Sequence, residues 1–63
     1  MLIKVTDFFV KERSFYINKY CILSMFRNKD NNTKYENTYI KTSHDEFNVL
    51  ETPEEIINQI KGN

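Results

Sequence analysis

Residues 50–63 read LETPEEIINQIKGN and contain the clearest helix start in the chain. The Thr52 hydroxyl can accept a hydrogen bond from the Glu55 amide, while the Glu55 side chain returns to the Thr52 amide and closes a capping box. Pro53 suits the first helical position, because no amide donor is needed there. This stretch therefore predicts a helix over residues 53–61, and the rest of the fold must supply a surface for it.

The predicted helix is too short to be stable alone, because isolated helices below about 12–15 residues are marginal in water. Its apolar side chains are Ile56, Ile57 and Ile60, and we expect all three to pack against a sheet. On this hypothesis the variant Ile57→Asp places an unpaired charge beneath the helix and unfolds the domain.

The remainder of the chain shows the alternation of apolar and polar residues that is typical of β-strands. The segments LIKVT and SFYIN predict a hairpin across the charged residues at 11–13. Residues 17–25 leave two alternatives open, since their apolar side chains also share one face of a helix. The predicted strands are at about 2–9, 14–18, 22–27 and 38–43/47–50.

The predicted fold class is α+β: a small antiparallel β-meander of about four strands with one C-terminal helix packed on the sheet. A chain of 63 residues makes one domain and buries only about 60% of the surface of its unfolded chain. Small domains of this kind usually need a disulfide, a metal or a partner chain. We therefore ask which of these the sequence provides.

Neither a disulfide nor a metal site is expected. Cys21 is the only cysteine, so no disulfide forms within the chain, and we expect it to be a small buried residue. One cysteine and one histidine, His44, are too few for an ordinary structural zinc site. Gly62 is the only glycine, which excludes a glycine-rich phosphate loop. No cofactor is expected, and a partner chain remains as the source of added stability.

No catalytic residues are predicted, because no convergent set of acid, base and nucleophile is evident. No segment approaches the ~20 apolar residues that span a bilayer, so no membrane partner is expected. The absence of a signal-peptide pattern predicts a cytoplasmic protein. The net charge is zero, but residues 1–43 carry eight Lys/Arg and four Asp/Glu, whereas residues 44–63 carry one and five. This uneven distribution of charge along the chain can steer the approach of a partner.

Protein–protein contact is the best-supported function, because Tyr, Phe, Met and Arg are favoured at the centres of interfaces. The chain has more of these residues than a core of its size can hide. We expect one face of the sheet to meet a second copy or a host protein, and a strand edge at 2–6 or 38–43 to accept a neighbouring strand. The candidate interface residues are Phe8, Tyr16, Ile22, Phe26 and Tyr39.

Nucleic-acid binding is the alternative, because basic and aromatic residues alternate through residues 1–43 and can contact phosphates and stack on bases. Against it, the isoelectric point near 6.6 lies below that of typical nucleic-acid-binding domains. The polar loop at 28–37 is the place where such contacts are expected. The candidate contacts at this loop are Arg27, Lys29, Lys34 and Tyr35.

Five stretches, IKVT, YIN, CILSM, TYIKT and FNVLETPEEII, carry a resemblance that spans nearly the whole chain. In these stretches the chain resembles the FlbD-like family of small flagellar and swarming-motility proteins. The resemblance implies a meander with a terminal helix and a non-enzymatic regulatory role. The composition, which lacks alanine and is rich in Asn and Lys, indicates a bacterial or phage origin.

Overall fold

A computed structural model describes residues 1–29 and 36–62, which form five strands, one short 3₁₀ helix and one α-helix. The predicted α+β fold, with antiparallel strands followed by a C-terminal helix, is confirmed. The 3₁₀ helix, Lys19–Cys21, connects the second and third strands. The elements are β1 (Leu2–Thr6), β2 (Ser14–Asn18), β3 (Ile22–Asn28), β4 (Asn37–Thr42), β5 (Glu46–Val49) and α1 (Pro53–Gly62).

The strands form two antiparallel sheets, β1–β2 and β3–β4–β5, rather than one continuous meander. The sheets meet where β1 ends, because Asp7 forms a bridge with Val49. The Phe8 amide also donates to the Asn48 carbonyl at 2.9 Å. The residues that follow β1 therefore connect the two sheets at the end of β5, and the two sheets remain separate ladders.

The hydrogen bonding of β1 and β4 corrects the expectation that residues 2–6 or 38–43 offer a free strand edge. β4 lies between β3 and β5. The second edge of β1 is occupied by a side chain of the helix: the Lys4 amide donates to Gln59 Oε1 at 2.9 Å, and Gln59 Nε2 donates to the Lys4 carbonyl at 2.8 Å. Within the described part of the chain, β2, β3 and β5 each pair with a single neighbouring strand.

The ambiguous segment 17–25 is strand at both ends with one 3₁₀ turn between them. Asn18 starts this turn, because its side-chain oxygen accepts a hydrogen bond from the Tyr20 amide at 3.0 Å. Cys21 ends the turn and is half-buried, so the expectation of a fully buried cysteine is wrong. The turn changes the direction of the chain, and this is why the apolar pattern fitted neither a single strand nor a single helix.

The core contains six fully or almost fully buried aliphatic side chains. They come from both sheets and from the helix, because alternate residues of each strand point to the same face. Such a small core agrees with the marginal burial expected for a chain of this length. The core residues are Ile3, Val5, Ile17, Ile40, Val49 and Ile56.

The helix α1 contacts β1 of one sheet and β3 of the other, so it covers the inner face of both. Ile56 is fully buried and Ile60 packs against the core, but Ile57 is 40% exposed. The expectation that Ile57 docks is wrong, and the prediction that Ile57→Asp unfolds the domain loses the contact on which it was based. Adjacent residues of a helix point about 100° apart, so Ile57 does not share the buried direction of Ile56. Ile60 is four residues after Ile56 and therefore lies on the same face of the helix.

The capping box is present as predicted. The Glu55 amide donates to Thr52 Oγ1 at 3.2 Å, and the Thr52 amide donates to Glu55 Oε1 at 3.4 Å. Two amides at the start of α1 are thereby satisfied by side chains, which fixes the position at which the helix begins.

Candidate functional site

The outer face of the three-stranded sheet carries an exposed aromatic pair. Phe26 of β3 lies opposite Tyr39 of β4 in the strand register, and both point away from the core. Their ring centroids are 5.0 Å apart with an interplanar angle of 34°. Phe26 is 51% exposed and Tyr39 is half-buried. The structure thus brings together two of the five candidate interface residues, here called the aromatic pair.

Polar side chains border the aromatic pair on both sides. Asn37 Oδ1 accepts hydrogen bonds from Asn28 Nδ2 at 3.3 Å and from Asn48 Nδ2 at 2.8 Å, which joins three strands through their side chains. On the other side, Lys41 of β4 lies opposite Glu46 of β5. An apolar centre with a polar rim is the usual organisation of a protein–protein interface.

The hydroxyl of Tyr39 is held in its protonated form. Its pKa is raised above the ordinary value, first because burial disfavours the charged phenolate, and then because Glu46 accepts its hydrogen bond and adds a negative charge nearby. Tyr39 therefore acts as a hydrogen-bond donor at neutral pH.

The other three candidate interface residues lie apart from the aromatic pair. Tyr16 is 61% exposed on the outer face of β2, opposite Lys4 of β1. Ile22 is half-buried and packs against the core. Phe8 is half-buried in the turn after β1. No single face holds all five residues, because they belong to two sheets and a turn.

Arg27, a candidate for external basic contacts, is used inside the molecule instead. Its Nη1 donates to Thr38 Oγ1 at 2.9 Å and to the carbonyl oxygens of Leu50 and Glu51 at 3.2 and 3.4 Å. Thr38 Oγ1 in turn donates to the Glu51 carbonyl at 2.5 Å. Arg27 Nη2 also lies 3.7 Å from a carboxylate oxygen of Glu36. The guanidinium therefore ties β3 and β4 to the connection between β5 and α1.

Lys29, the other basic candidate in the described part of the chain, lies beside Arg27 in a region of mixed charge. Lys29 is exposed and lines a cavity of about 310 Å³ together with Glu36 and Glu54, so the cavity carries both signs of charge. Lys34 and Tyr35 lie outside the described residues.

The turn between β1 and β2 is organised by one carboxylate that sequence analysis did not single out. Asp7 Oδ1 accepts hydrogen bonds from the amides of Phe9 and Val10 at 2.8 and 3.2 Å, and Oδ2 accepts from Arg13. The arginine hydrogen bond, followed by the Phe9 amide, lowers the pKa of the Asp7 carboxyl. The signal that sequence analysis missed is an aspartate followed by a turn, since Asp commonly accepts from the amides two and three residues later.

This turn presents apolar side chains and contributes Asp7 and Arg13 to a cavity that two aromatic rings also line. Phe9 is 76% exposed and Val10 is 44% exposed, although their amides are held by Asp7. The cavity measures about 340 Å³ and is lined by Asp7, Arg13, Phe15 and Phe47. The rings of Phe15 and Phe47 lie 5.0 Å apart. An exposed aromatic side chain and a cavity lined by aromatic rings thus belong to the same region of the surface.

Within residues 1–29 and 36–62, no group of three or more His, Cys, Asp and Glu side chains is placed to hold a metal ion. No helix in these ranges has the length and apolar character to cross a membrane. Comparisons with protein-family models, curated proteins and solved structures found no match for the chain.

Proposed function

We propose that this protein is a small, non-enzymatic regulatory protein of bacterial or phage type that acts by protein–protein contact as a homo-oligomer. The observation that carries the proposal is the clustering of exposed apolar side chains at two places. One place is the aromatic pair, and the other is the turn with Phe9 and Val10. Single exposed apolar residues are normal in soluble proteins, whereas clusters of them mark interaction sites.

The contrast between surface and core supports the proposal. The core uses aliphatic side chains almost alone, and the aromatic rings lie at its border or on the surface. Burying an aromatic ring contributes more than burying a smaller side chain, because each ring covers about 150–250 Å². Contact with a second chain is therefore the way in which this small domain gains the burial that its own core lacks. The resemblance to the FlbD-like family supports the same regulatory role.

The light-scattering mass of the purified protein tests the proposal. We expect the average mass to rise with concentration between ~10 µM and ~1 mM, the range in which weak protein contacts form. The rise should persist in high salt, because apolar contacts do not depend on counterions in the way that phosphate contacts do. A mass of one chain throughout this range would contradict a homo-oligomer.

Nucleic-acid binding is the second candidate function, and one observation favours it. The aromatic pair lies on the open face of an antiparallel sheet, with Lys41 at the next outward position of β4. Such faces can stack on bases while lysines contact the phosphates. The carboxylate of Glu46 beside Tyr39 counts against it, because a negative charge repels the backbone of a nucleic acid.

Titration of the protein with a single-stranded oligonucleotide at increasing salt distinguishes this second candidate. On the nucleic-acid hypothesis the affinity falls steeply with salt, and Phe26→Ser weakens binding by roughly 5- to 100-fold through lost stacking. Tyr16→Ser is the matched control, because Tyr16 is at least as exposed as Phe26 but lies on the other sheet. Equal loss in the two variants would count against stacking on the aromatic pair.

A further inference from the structure

The edge of β1 that faces away from β2 is closed by groups from the C-terminal part of the chain. Successive residues of an antiparallel strand direct their peptide groups to opposite edges. The Asp7 amide donates to the Arg13 carbonyl at 2.9 Å, on the side of β2. The peptide groups of Lys4 and Thr6 therefore face the other edge, which is the edge where a further strand would bind.

At Thr6 this edge is closed by the connection between β5 and α1. The Leu50 amide donates to the Thr6 carbonyl at 3.0 Å, and the Thr6 amide donates to Glu51 Oε1 at 2.8 Å. The carbonyl oxygens of Leu50 and Glu51 are in turn bound by Arg27. The edge at Thr6 is therefore closed by a segment that is itself fixed to the three-stranded sheet.

At Lys4 the same edge is closed by one side chain. The Lys4 amide donates to Gln59 Oε1 at 2.9 Å, and Gln59 Nε2 donates to the Lys4 carbonyl at 2.8 Å. A carboxamide has the donor and the acceptor of a peptide group. Gln59 thus makes with Lys4 the pair of hydrogen bonds that a residue of a neighbouring antiparallel strand makes. The chemistry that this edge binds is that of an extended backbone.

The closure at Lys4 is the more easily opened of the two. Both hydrogen bonds of Gln59 to Lys4 are exposed to solvent, so water competes for them. A glutamine side chain leaves the edge by a change of rotamer, and Ile60 stays packed against the core while it does so. Opening the edge at Lys4 therefore requires no unfolding of α1.

From these contacts we infer that Gln59 is an intramolecular competitor for strand pairing. While its carboxamide is bound to Lys4 the edge of β1 is closed, and when the carboxamide leaves, the backbone of an extended segment pairs there. Open strand edges are templates for pairing with another chain, and proteins commonly cover them. The inference goes beyond the proposed self-association through apolar side chains, because it concerns backbone pairing and applies to a monomer as well.

Hydrogen exchange of single amides, followed by nuclear magnetic resonance, tests the closure. In Gln59→Met, which keeps the length of the side chain but removes the carboxamide, the Lys4 amide should exchange roughly 10- to 100-fold faster than in the wild-type protein. The Val5 amide, which faces β2, should be unchanged. Asn58→Met, at an exposed neighbouring position, is the matched control and should change neither amide. Equal acceleration at Lys4 and Val5, or none at Lys4, would overturn the inference.

A synthetic peptide of residues 14–18, acetylated and amidated at its ends, tests the competition. This is the segment that β1 already accepts on its other edge. Titrated to ~5 mM, the range of weak contacts, it should shift the Lys4 amide signal of Gln59→Met and leave that of the wild-type protein and of Asn58→Met nearly unchanged. An equal response in all three proteins would show that Gln59 does not compete, and no response in any of them would show that the edge does not accept a strand. Neither result bears on the proposed homo-oligomer, which the light-scattering mass decides.

Discussion

Arg27 donates hydrogen bonds to the irregular connection between β5 and α1. The carbonyl oxygens of Leu50 and Glu51 lie between β5 and α1, where neither a sheet ladder nor a helix supplies all their partners. A guanidinium carries five donors in a fixed fork, which allows it to reach several acceptors at once. One side chain therefore holds the end of the sheet against the start of the helix.

Replacing Arg27 by Met should lower the free energy of unfolding by about 2–3 kcal/mol, because half-buried acceptors lose hydrogen bonds to a charged group. Lys29→Met is the matched control, since Lys29 is exposed two residues further along the chain, and its effect should stay within about 0.5 kcal/mol. Urea unfolding measures both variants. Equal effects of the two substitutions would show that Arg27 contributes only charge.

Asp7 gives the stability of the fold a defined dependence on pH. Its pKa in the folded protein is lowered from the ordinary value of 3.8, first by the hydrogen bond from Arg13 and then by the amides of Phe9 and Val10. A carboxyl group whose pKa is lowered by folding stabilises the folded state fully above its unfolded-state pKa. This stabilisation is lost as the pH falls through the folded-state pKa. The contribution is therefore present at neutral pH and disappears in acid, below pH 3.8.

The variant Asp7→Asn keeps an oxygen acceptor but removes the charge. We expect its urea midpoint to lie below that of the wild-type protein at pH 7, and the difference to shrink as the pH is lowered toward 2. Asp45→Asn, in the exposed turn between β4 and β5, serves as the control. A difference that stays constant over the whole pH range would mean that hydrogen-bond geometry, and not charge, makes Asp7 important.

At the scale of the elements, α1 depends on a single fully buried residue. Ile56→Ala should lower the free energy of unfolding by about 2–4 kcal/mol, because it removes buried methyl groups and leaves a cavity. Ile57→Ala should cost less than about 1 kcal/mol, since Ile57 is 40% exposed. The comparison holds helix propensity constant, because the same substitution is made at adjacent positions. A larger loss at Ile57 would contradict the docking face described above.

The elements also differ in how well sequence analysis predicted them. β2 has the predicted bounds, and α1 begins at Pro53 as its capping signal indicates. β1 is shorter than predicted, because Asp7 starts a turn where the aromatic residues that follow suggested more strand. Sequence analysis named Phe26 and Tyr39 among five candidate interface residues but did not predict that these two would be neighbours. Its formation depends on the pairing of β3 with β4 across the segment 29–36, which no local pattern specifies.

At the scale of the whole molecule, stability and association are expected to be linked. A core of six aliphatic residues leaves a small margin, and any partner that binds only the folded chain adds to it. The midpoint of thermal unfolding should therefore rise by a few °C between ~20 µM and ~1 mM protein, because about 1 kcal/mol corresponds to 4–8 °C in a domain of this size.

Differential scanning calorimetry at several protein concentrations measures this shift. A constant midpoint in the wild-type protein would mean that the folded monomer gains no stability from a second copy.

The sequence by itself determined the helix start at Thr52, the strand at Ser14–Asn18 and the α+β class. These features depend on interactions within a few residues, namely a capping box and the alternation of side chains along a pleated strand. Only the tertiary structure decided that Asp7 bridges to Val49 of β5, that Arg27 is used internally and that Ile57 remains exposed. Each of these results depends on which distant segments become neighbours, and that is set by the packing of the whole chain around one small core.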